Sequence, residues 1–244
     1  GPPRDLSSLR MILSSGAMFS AEVKDGLIGH LPDLAIVDFI AATEGLMGVS
    51  IATRDAPAAT GRFMPNPGVK VFAEDGREVA PGSDEAGIVA LSAGVPQGYF
   101  KDEAKSASTF RVVDGVRYSF PGDWATVEAD GTLVLLGRGS QCINTGGEKV
   151  FPEEVEEAVK RHPAVEDCLV FGVADERFGQ RVVAVASTAP GAAVSAEEIL
   201  ADVHGRLAGY KVPRRLHLVD AVPRIASGKA DYPAARALFE ASGT

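Results

Sequence analysis

The sequence predicts a fold of mixed α/β and α+β class, with a strand-helix-strand piece, an antiparallel β subdomain and a small α+β C-terminal domain. Three observations predict it. Two strand-length apolar runs flank a helical segment near the N-terminus, short apolar runs alternate with hairpin turn pairs between about 61 and 137, and helical and strand patterns follow from 143 onward. We therefore divide the chain into residues 1–137, a link at 138–142 and residues 143–244.

The first part of the chain is typical of a parallel βαβ arrangement. A strand is predicted over Leu9–Leu13, because this apolar run stops at the small residues 14–17. A helix is predicted after Ser20, a suitable N-cap, and Pro32 ends it. Its apolar face is predicted to consist of Val23, Leu27, Ile28 and Leu31. A second apolar strand over 34–40 completes the unit.

The middle of the chain is predicted to be antiparallel. Apolar runs at 69–72, 87–91 and 132–136 are strand-length. They are separated by pairs that favour hairpin turns. These pairs are Asp75-Gly76, Pro81-Gly82, Asp114-Gly115 and Asp130-Gly131.

The last part combines helices and strands. A helix is predicted over Pro152–His162, with acidic residues in its first turn and basic residues near its end, as the helix dipole favours. Strands are predicted at 167–173 and 181–187, and a second helix over Ser195–Leu207. Ser195 and Glu198 have the spacing of a capping box.

The composition excludes several classes of function. The chain has 24 Lys and Arg residues against 33 Asp and Glu residues, a net charge of −9 without a basic run, which argues against a nucleic-acid partner. No apolar stretch approaches the roughly 20 residues of a membrane span, so we interpret the chain as cytoplasmic, with peripheral membrane association left open. Its 2 cysteines and 4 scattered histidines provide neither a disulfide framework nor a zinc motif.

Two glycine-containing segments carry residues suited to chemistry. Gly137-Arg138 and Gly146-Gly147 lie where the pattern changes, so that backbone torsions can change there and a ligand can approach the main chain. An ordinary glycine-rich linker is the alternative. Lys229 follows Gly228 in a loop, where a lone lysine is also typical of a solvated surface.

Taken in order, five segments resemble a known family. They are Ala42–Gly45, Phe120–Asp123, Gly137-Arg138, Thr145–Lys149 and Pro223–Lys229. Together they resemble the later core motifs of the acyl-adenylate-forming superfamily, most closely the fatty-acyl-CoA ligases (acyl-CoA synthetases). Gly98-Tyr99-Phe100 also resembles a Gly-Tyr-aromatic segment of this family. The resemblance extends over nearly the whole chain.

The resemblance implies a two-step reaction that uses ATP, Mg²⁺ and coenzyme A. A small-molecule carboxylic acid attacks the α-phosphorus of ATP to give an acyl-adenylate and pyrophosphate. Coenzyme A then displaces AMP to give the thioester. The acid implied is a medium- or long-chain fatty acid or the side-chain acid of a sterol.

Three residues receive catalytic roles from this resemblance. Lys229 is the cation that bridges carboxylate and phosphate oxygens, Glu44 holds Mg²⁺, and Thr43 hydrogen-bonds the α-phosphate. A cation and a metal ion suit this step because negative charge builds on the phosphate oxygens in its transition state.

Further positions are implied to bind the nucleotide. Ser15, Gly16 and Ala17 resemble the loop that lines adenine. Asp123 matches the carboxylate that accepts hydrogen bonds from the ribose hydroxyls, and Arg138 matches an arginine that contacts the ribose. From the residues alone, Asp123 is also typical of a turn, and Arg138 of a surface ion pair.

The C-terminal domain is implied to rotate between the two steps about Ser140. One orientation presents Lys229 to the adenylate. The other presents Gly146 and Gly147 to the pantetheine arm of coenzyme A, with Lys149 near its phosphates. The domains implied are therefore a C-terminal part of the large adenylate-forming domain (1–137), a hinge (138–142) and a mobile C-terminal domain (143–244).

One departure from the family pattern affects the expected activity. No glycine-rich, hydroxyl-rich phosphate loop precedes Thr43. We therefore expect a C-terminal portion of a longer enzyme, inactive by itself. A fatty-acyl-AMP ligase that loads a carrier protein and a non-catalytic interaction module remain as alternatives, and the oligomeric state stays open.

Overall fold

A computed structural model describes residues 4–57 and 59–243 of the chain. The chain divides into two units, Gly1–Leu136 and Gly137–Thr244, which we name unit 1 and unit 2. Each unit has its own apolar core of strands and helices, and the predicted mixed α/β and α+β fold class is confirmed.

Unit 1 begins with the predicted strand-helix-strand piece. It consists of β1 (Met11–Ser15), α1 (Ala21–His30) and β2 (Ala35–Ala42), and the two strands pair in parallel. β1 lies two residues later than predicted, because Ser14 and Ser15 still pair with β2 instead of entering a loop. The start of α1 is as predicted, since the Ser20 side chain accepts a hydrogen bond from the Val23 amide at 3.3 Å.

The apolar face of α1 differs from the prediction at one position. Val23 is 54% exposed, whereas Lys24 is 1% exposed. The Lys24 ammonium donates to Asp38 Oδ2 on β2 at 3.2 Å, so the helix turns this lysine toward the sheet. Ile28 keeps its predicted place in the core. The assignment of Val23 to the buried face was therefore wrong.

The rest of unit 1 is mostly antiparallel. Its elements are β3 (Gly45–Ala52), β4 (Arg62–Pro65), β5 (Val69–Phe72), β6 (Ser83–Leu91), α2 (Glu103–Thr109), β7 (Phe110–Val113), β8 (Val116–Ser119), β9 (Asp123–Val127) and β10 (Leu133–Arg138). Among the described residues the strands form one 10-stranded sheet in the order β1-β2-β3-β4-β10-β9-β6-β8-β7, with β5 beside β6. The predicted hairpin turn at Asp114-Gly115 joins β7 and β8, with left-handed φ angles of 50° and 78°.

Unit 2 is a smaller α+β layer structure. After a 3₁₀ turn at Gly139–Gln141 come β11 (Ile143–Thr145), β12 (Glu148–Val150), α3 (Pro152–Lys160), β13 (Val165–Asp175), β14 (Gly179–Thr188), α4 (Ala196–His204), β15 (Arg215–Leu218) and α5 (Tyr232–Ala241). The strand order is β12-β11-β14-β13, and β15 also pairs with β14. The predicted capping box is present, because Ser195 and Glu198 exchange their two hydrogen bonds.

Both faces of the β13–β14 hairpin are buried. Successive side chains of a strand point to opposite faces, so Val170 and Phe171 of β13 enter different clusters. One cluster packs against α3 and α4, and the other packs against Phe239 of α5. Among the described residues, no helix is long and apolar enough to cross a membrane.

We predict that Lys24→Ala destabilises unit 1 by about 3–5 kcal/mol, because it leaves the Asp38 carboxylate buried without its cation. Fluorescence of Trp124, the sole tryptophan of the sequence and part of unit 1, follows this unit during denaturant unfolding. The matched control is Lys70→Ala, because Lys70 and Glu78 form an exposed pair that is worth at most about 1 kcal/mol. Equal effects of the two variants would contradict the prediction.

Candidate functional site

The carboxyl ends of β1 and β2 bring two predicted segments to one edge of the unit 1 sheet. Ser15 is the last residue of β1 rather than a loop residue, and its hydroxyl donates to the Phe39 carbonyl at 3.3 Å. Gly16 follows with a left-handed φ of 85°. Because the strands are parallel, Thr43, which follows β2 and is exposed, lies at the same edge. Ligands of open α/β sheets bind at this kind of edge.

Glu44 lies between β2 and β3 and is 9% exposed. Its Oε1 accepts a hydrogen bond from the Tyr99 hydroxyl. The Tyr99 ring is itself held, with its centroid 5.3 Å from that of Phe110 and 4.3 Å from the Lys105 ammonium. The neighbouring Phe100 is 88% exposed. Tyr99 is thus a partner of Glu44 to which the sequence analysis assigned no role.

Asp123 opens β9 and is 7% exposed. It follows Gly122, whose φ is 101°, so a tight backbone turn leads into the strand. In the sheet order, β3, β4 and β10 lie between β2 and β9. Unit 1 therefore carries Ser15, Thr43 and Asp123 on or directly beside three different strands of one sheet.

The link into unit 2 is held by Glu153 of α3. The Glu153 carboxylate lies so close to Gly137, whose φ is 140°, that any Cβ at this position would overlap with it. The Arg138 amide donates to Glu153 Oε1 at 3.4 Å, while its side chain is exposed. Ser140 is exposed in the 3₁₀ turn. The positive φ at 137 therefore favours glycine, while the Glu153 carboxylate is the end of a flexible side chain that another residue could displace.

Gly146 and Gly147 form a two-residue turn between β11 and β12. Their φ angles are 62° and 91°, both left-handed, as hairpin turns of this length require. The Gly146 amide donates to the Phe178 carbonyl at 2.9 Å, and a Cβ at 146 would lie 3.3 Å from the Phe178 ring. Lys149 is half-buried and pairs with Asn144 one step further along the hairpin.

A cavity of about 380 Å³ opens beside this turn within unit 2. Two arginines, Arg181 and Arg214, line it together with the partly exposed residues Phe178 and Tyr210. The remaining lining residues are Thr145, Gly146, Glu148, Asp175 and Val182. Guanidinium groups suit phosphate oxygens, and aromatic rings suit a flat heterocycle. No local pattern in the sequence indicates this group, since its members come from three separate segments, 145–148, 175–182 and 210–214.

Local hydrogen bonds hold the walls of the cavity in place. Asp175 Oδ1 accepts from the amides of Phe178 and Arg177, both at 3.0 Å, and these bonds lower the pKa of the Asp175 carboxyl. The Lys211 ammonium contacts both carboxylate oxygens of Glu154 at 2.7 Å, which fixes the segment beside Tyr210 against α3. The segments that carry Phe178 and Tyr210 are therefore each held by hydrogen bonds.

Lys229 lies on a short hairpin between β15 and α5. The Ile225 amide donates to the Lys229 carbonyl at 3.0 Å, and the Gly228 amide donates to the Ile225 carbonyl at 2.8 Å. Gly228 has a φ of 81°, so the turn needs a residue that adopts the left-handed region. The Lys229 side chain is exposed.

Glu156 of α3 is a buried carboxyl below the start of α5. Its Oε1 accepts from the Val170 amide at 2.9 Å and from the Tyr232 hydroxyl at 3.1 Å. Burial raises the pKa of Glu156 to about 8, although the two hydrogen bonds lower it in part. Tyr232 is the first residue of α5, three positions after Lys229.

Known proteins resemble this chain in both units. Residues 154–229 match the family described as AMP-binding enzyme C-terminal domain. Two curated relatives are 48% identical. One is a 3-oxocholest-4-en-26-oate–CoA ligase of Rhodococcus rhodochrous, aligned over 95% of this chain and 42% of its own length. The other is a medium/long-chain-fatty-acid–CoA/3-oxocholest-4-en-26-oate–CoA ligase of Mycobacterium tuberculosis, aligned over 99% and 44%.

A solved structure is also similar to this chain over most of its length. ATP-bound MatB from Rhodopseudomonas palustris superimposes with a TM-score of 0.79 at 27% identity, over 95% of this chain and 46% of MatB. The chain thus spans less than half the length of the proteins that it matches.

We predict that Glu156 makes the stability of unit 2 depend on pH. Its folded pKa of about 8 lies above the ordinary 4.5, so between these values only the folded state holds the proton. The contribution of Glu156 to the free energy of unfolding is therefore complete below pH 4.5. This contribution decreases as the pH rises toward 8, by at most about 1.4 kcal/mol per pH unit.

Calorimetry of the wild type and Glu156→Gln across this pH range checks the prediction, because the amide cannot titrate. Glu156→Gln should flatten the pH dependence, whereas Glu197→Gln, at an exposed carboxylate of α4, should leave it unchanged. An unchanged slope in Glu156→Gln would show that other groups cause it.

Proposed function

Because the chain belongs to the acyl-adenylate-forming superfamily and carries its AMP-binding C-terminal domain, we propose that it serves the ATP-dependent ligation of a carboxylic acid to coenzyme A. The observation that carries this proposal is the cavity beside Gly146, where two arginines and two aromatic rings meet a glycine turn. This combination suits a ligand with phosphates, a flat base and a thin flexible arm, as in coenzyme A.

In the first step, a carboxylate oxygen of the acid attacks the α-phosphorus of ATP, and the bond to pyrophosphate breaks. Lys229 contributes a cation to the phosphate oxygens, where charge increases in the transition state. Thr43 donates its hydroxyl to the α-phosphate. Asp123 accepts hydrogen bonds from the ribose hydroxyls, and Arg138 contacts the ribose.

Glu44 is suited to hold Mg²⁺ in this step. Among the described residues no three His, Cys, Asp or Glu side chains form a complete metal cage. Mg²⁺ usually takes one or two protein carboxylates and completes its shell with water and substrate phosphates. One buried carboxylate fits this pattern, and the ion, when bound, supplies positive charge to the phosphates. The Tyr99 hydroxyl restricts the orientation of Glu44.

In the second step, the sulfur of coenzyme A attacks the acyl carbonyl, and AMP leaves as the thioester forms. Arg181 and Arg214 bind phosphates of coenzyme A, and Phe178 and Tyr210 pack against its adenine. Gly146 and Gly147 present no side chain to the pantetheine arm. Lys149, on β12, contributes positive charge nearby. Ser140 lies in the segment that lets unit 2 change orientation between the steps.

For the acid, we propose a medium- or long-chain fatty acid or a sterol side-chain acid. Both curated relatives carry a sterol-derived acid in their names, and the mycobacterial one also carries medium- and long-chain fatty acids. The same two names favour coenzyme A over a carrier protein as acceptor.

We predict that Lys229→Ala selectively removes adenylation. In a protein of the relatives' full length that carries this chain, the rate of acyl-AMP formation should fall by about 10²- to 10³-fold, the usual cost of losing one transition-state donor. Thioester formation from supplied acyl-AMP should stay within about twofold, since the lysine charge is needed only in the first step. Both half-reactions are measured by mass spectrometry, with Lys160→Ala as the control. Equal loss of both steps would contradict this role.

We predict the opposite selectivity for Arg214→Ala. The KM for coenzyme A should rise by about 10- to 100-fold, since a charge-assisted hydrogen bond contributes about 1.5–3 kcal/mol. The rate of acyl-AMP formation should not change. Arg206→Ala provides the control, because Arg206 pairs with Asp202 on α4 and does not line the cavity. A wild-type KM for coenzyme A in Arg214→Ala would rule out the cavity as its binding site.

A further inference from the structure

Arg224 connects the Lys229 hairpin to the central strand pair of unit 2. Its Nε donates to Asp167 Oδ2 and its Nη2 to Asp167 Oδ1, both at 2.7 Å, which is a two-point contact. Its third nitrogen, Nη1, donates to the Gly228 carbonyl at 3.2 Å. One planar group therefore joins β13 to the residue that precedes Lys229.

This contact is partly shielded from water. The Arg224 and Asp167 side chains are 32% and 23% exposed. Asp167 is oriented in turn, because its Oδ1 also accepts from the Cys168 amide at 2.8 Å. The hydrogen bonds to Asp167 raise the pKa of Arg224, so the guanidinium stays charged. Screening by salt is therefore weaker here than for an exposed pair.

The tip of the hairpin is exposed, and its base is held to the rest of unit 2. Residues 225–229 are exposed, and two backbone hydrogen bonds close the turn. The base of the hairpin is closed by the Asp231 amide, which donates to the Pro223 carbonyl at 3.2 Å, and Val222 and Ala230 pack against the cluster of Phe171. The end of the hairpin is attached separately, since Asp231 caps α5 and the Tyr232 hydroxyl bonds to Glu156. These contacts fix the base, whereas the Arg224 side chain reaches the turn residue next to Lys229.

We propose that Arg224, held by Asp167, positions Lys229 for the adenylation step. The inference rests on the proposed function of Lys229. A lysine places a point charge at the end of a flexible stem, so its charge reaches a developing phosphate oxygen reproducibly only if its backbone is fixed. Arg224 supplies that fixation without touching the substrate.

The chain offers a matched control for this pair. Arg206 and Asp202 form the same two-point contact, at 2.9 Å and 3.0 Å, but Asp202 belongs to α4 and Arg206 to the turn directly after it, so the pair does not touch the Lys229 hairpin. Loss of either pair removes one bidentate ion pair from unit 2. Only loss of Arg224 should release the hairpin.

Hydrogen exchange on this chain tests the positioning directly. In Arg224→Ala, the Ile225 and Gly228 amides should exchange at least tenfold faster, while the amides of β13 and β14 keep their wild-type rates. Arg206→Ala should change neither set. Wild-type exchange at both hairpin amides would overturn the inference, and so would faster exchange throughout β13 and β14, which would show a general structural role.

The half-reactions test the catalytic consequence in a protein of the relatives' full length. Arg224→Ala should lower the rate of acyl-AMP formation about tenfold and leave thioester formation from supplied acyl-AMP within twofold. Arg224→Lys should recover part of the rate, because lysine keeps the charge near Asp167 but cannot bond three acceptors in one plane. Equal loss of both half-reactions would overturn the inference. If the wild type formed no acyl-AMP with any acid, the proposed function itself would fail, whatever the exchange data show.

Discussion

The burial of both faces of the β13–β14 hairpin is the constraint on which the chemistry of unit 2 depends. Val170 and Phe171 occupy opposite cores, so the middle of this strand pair has no place for polar groups that meet a ligand. Polar chemistry is therefore restricted to the two ends. Asp167, near the start of β13, holds Arg224, and the turn between the strands carries Phe178 at the cavity.

Two buried carboxylates of unit 1, Asp38 and Glu44, differ in the side chain that faces them. Asp38 faces the Lys24 ammonium, which cancels its charge, and its pKa is raised mainly by burial. Glu44 faces the neutral Tyr99 hydroxyl, which restricts its orientation without cancelling its charge. A cation from solution can therefore gain from Glu44 but not from Asp38. This difference is physical support for the role that we propose for Glu44.

The features that sequence reasoning predicted correctly depend on residues close together in the chain. The Ser20 cap, the Ser195 capping box and the Asp114-Gly115 turn each involve at most four consecutive residues, so local pattern is sufficient. The errors and omissions involve distant partners. Lys24 replaces Val23 on the buried face because of Asp38, which lies 14 positions away, and Tyr99 meets Glu44 across 55 positions. Similarly, the cavity combines Gly146 with Arg214, two residues that no local pattern connects. The motif residues themselves were found only through the ordered set that resembles a family.

The length of β13 bears on the two-step reaction that we propose. Eight residue steps separate Asp167 from Asp175, which at about 3.4 Å per residue amounts to roughly 27 Å. The anchor of Lys229 lies near one end of this strand, and the cavity that we propose for coenzyme A lies at the other. A single reaction centre cannot meet both ends of one rigid body at once. If Lys229 serves the first step and the cavity serves the second, unit 2 presents its two ends to the reaction centre in turn. Such a change of orientation requires a flexible backbone, and the segment between Gly137 and Ser140 contains two glycines.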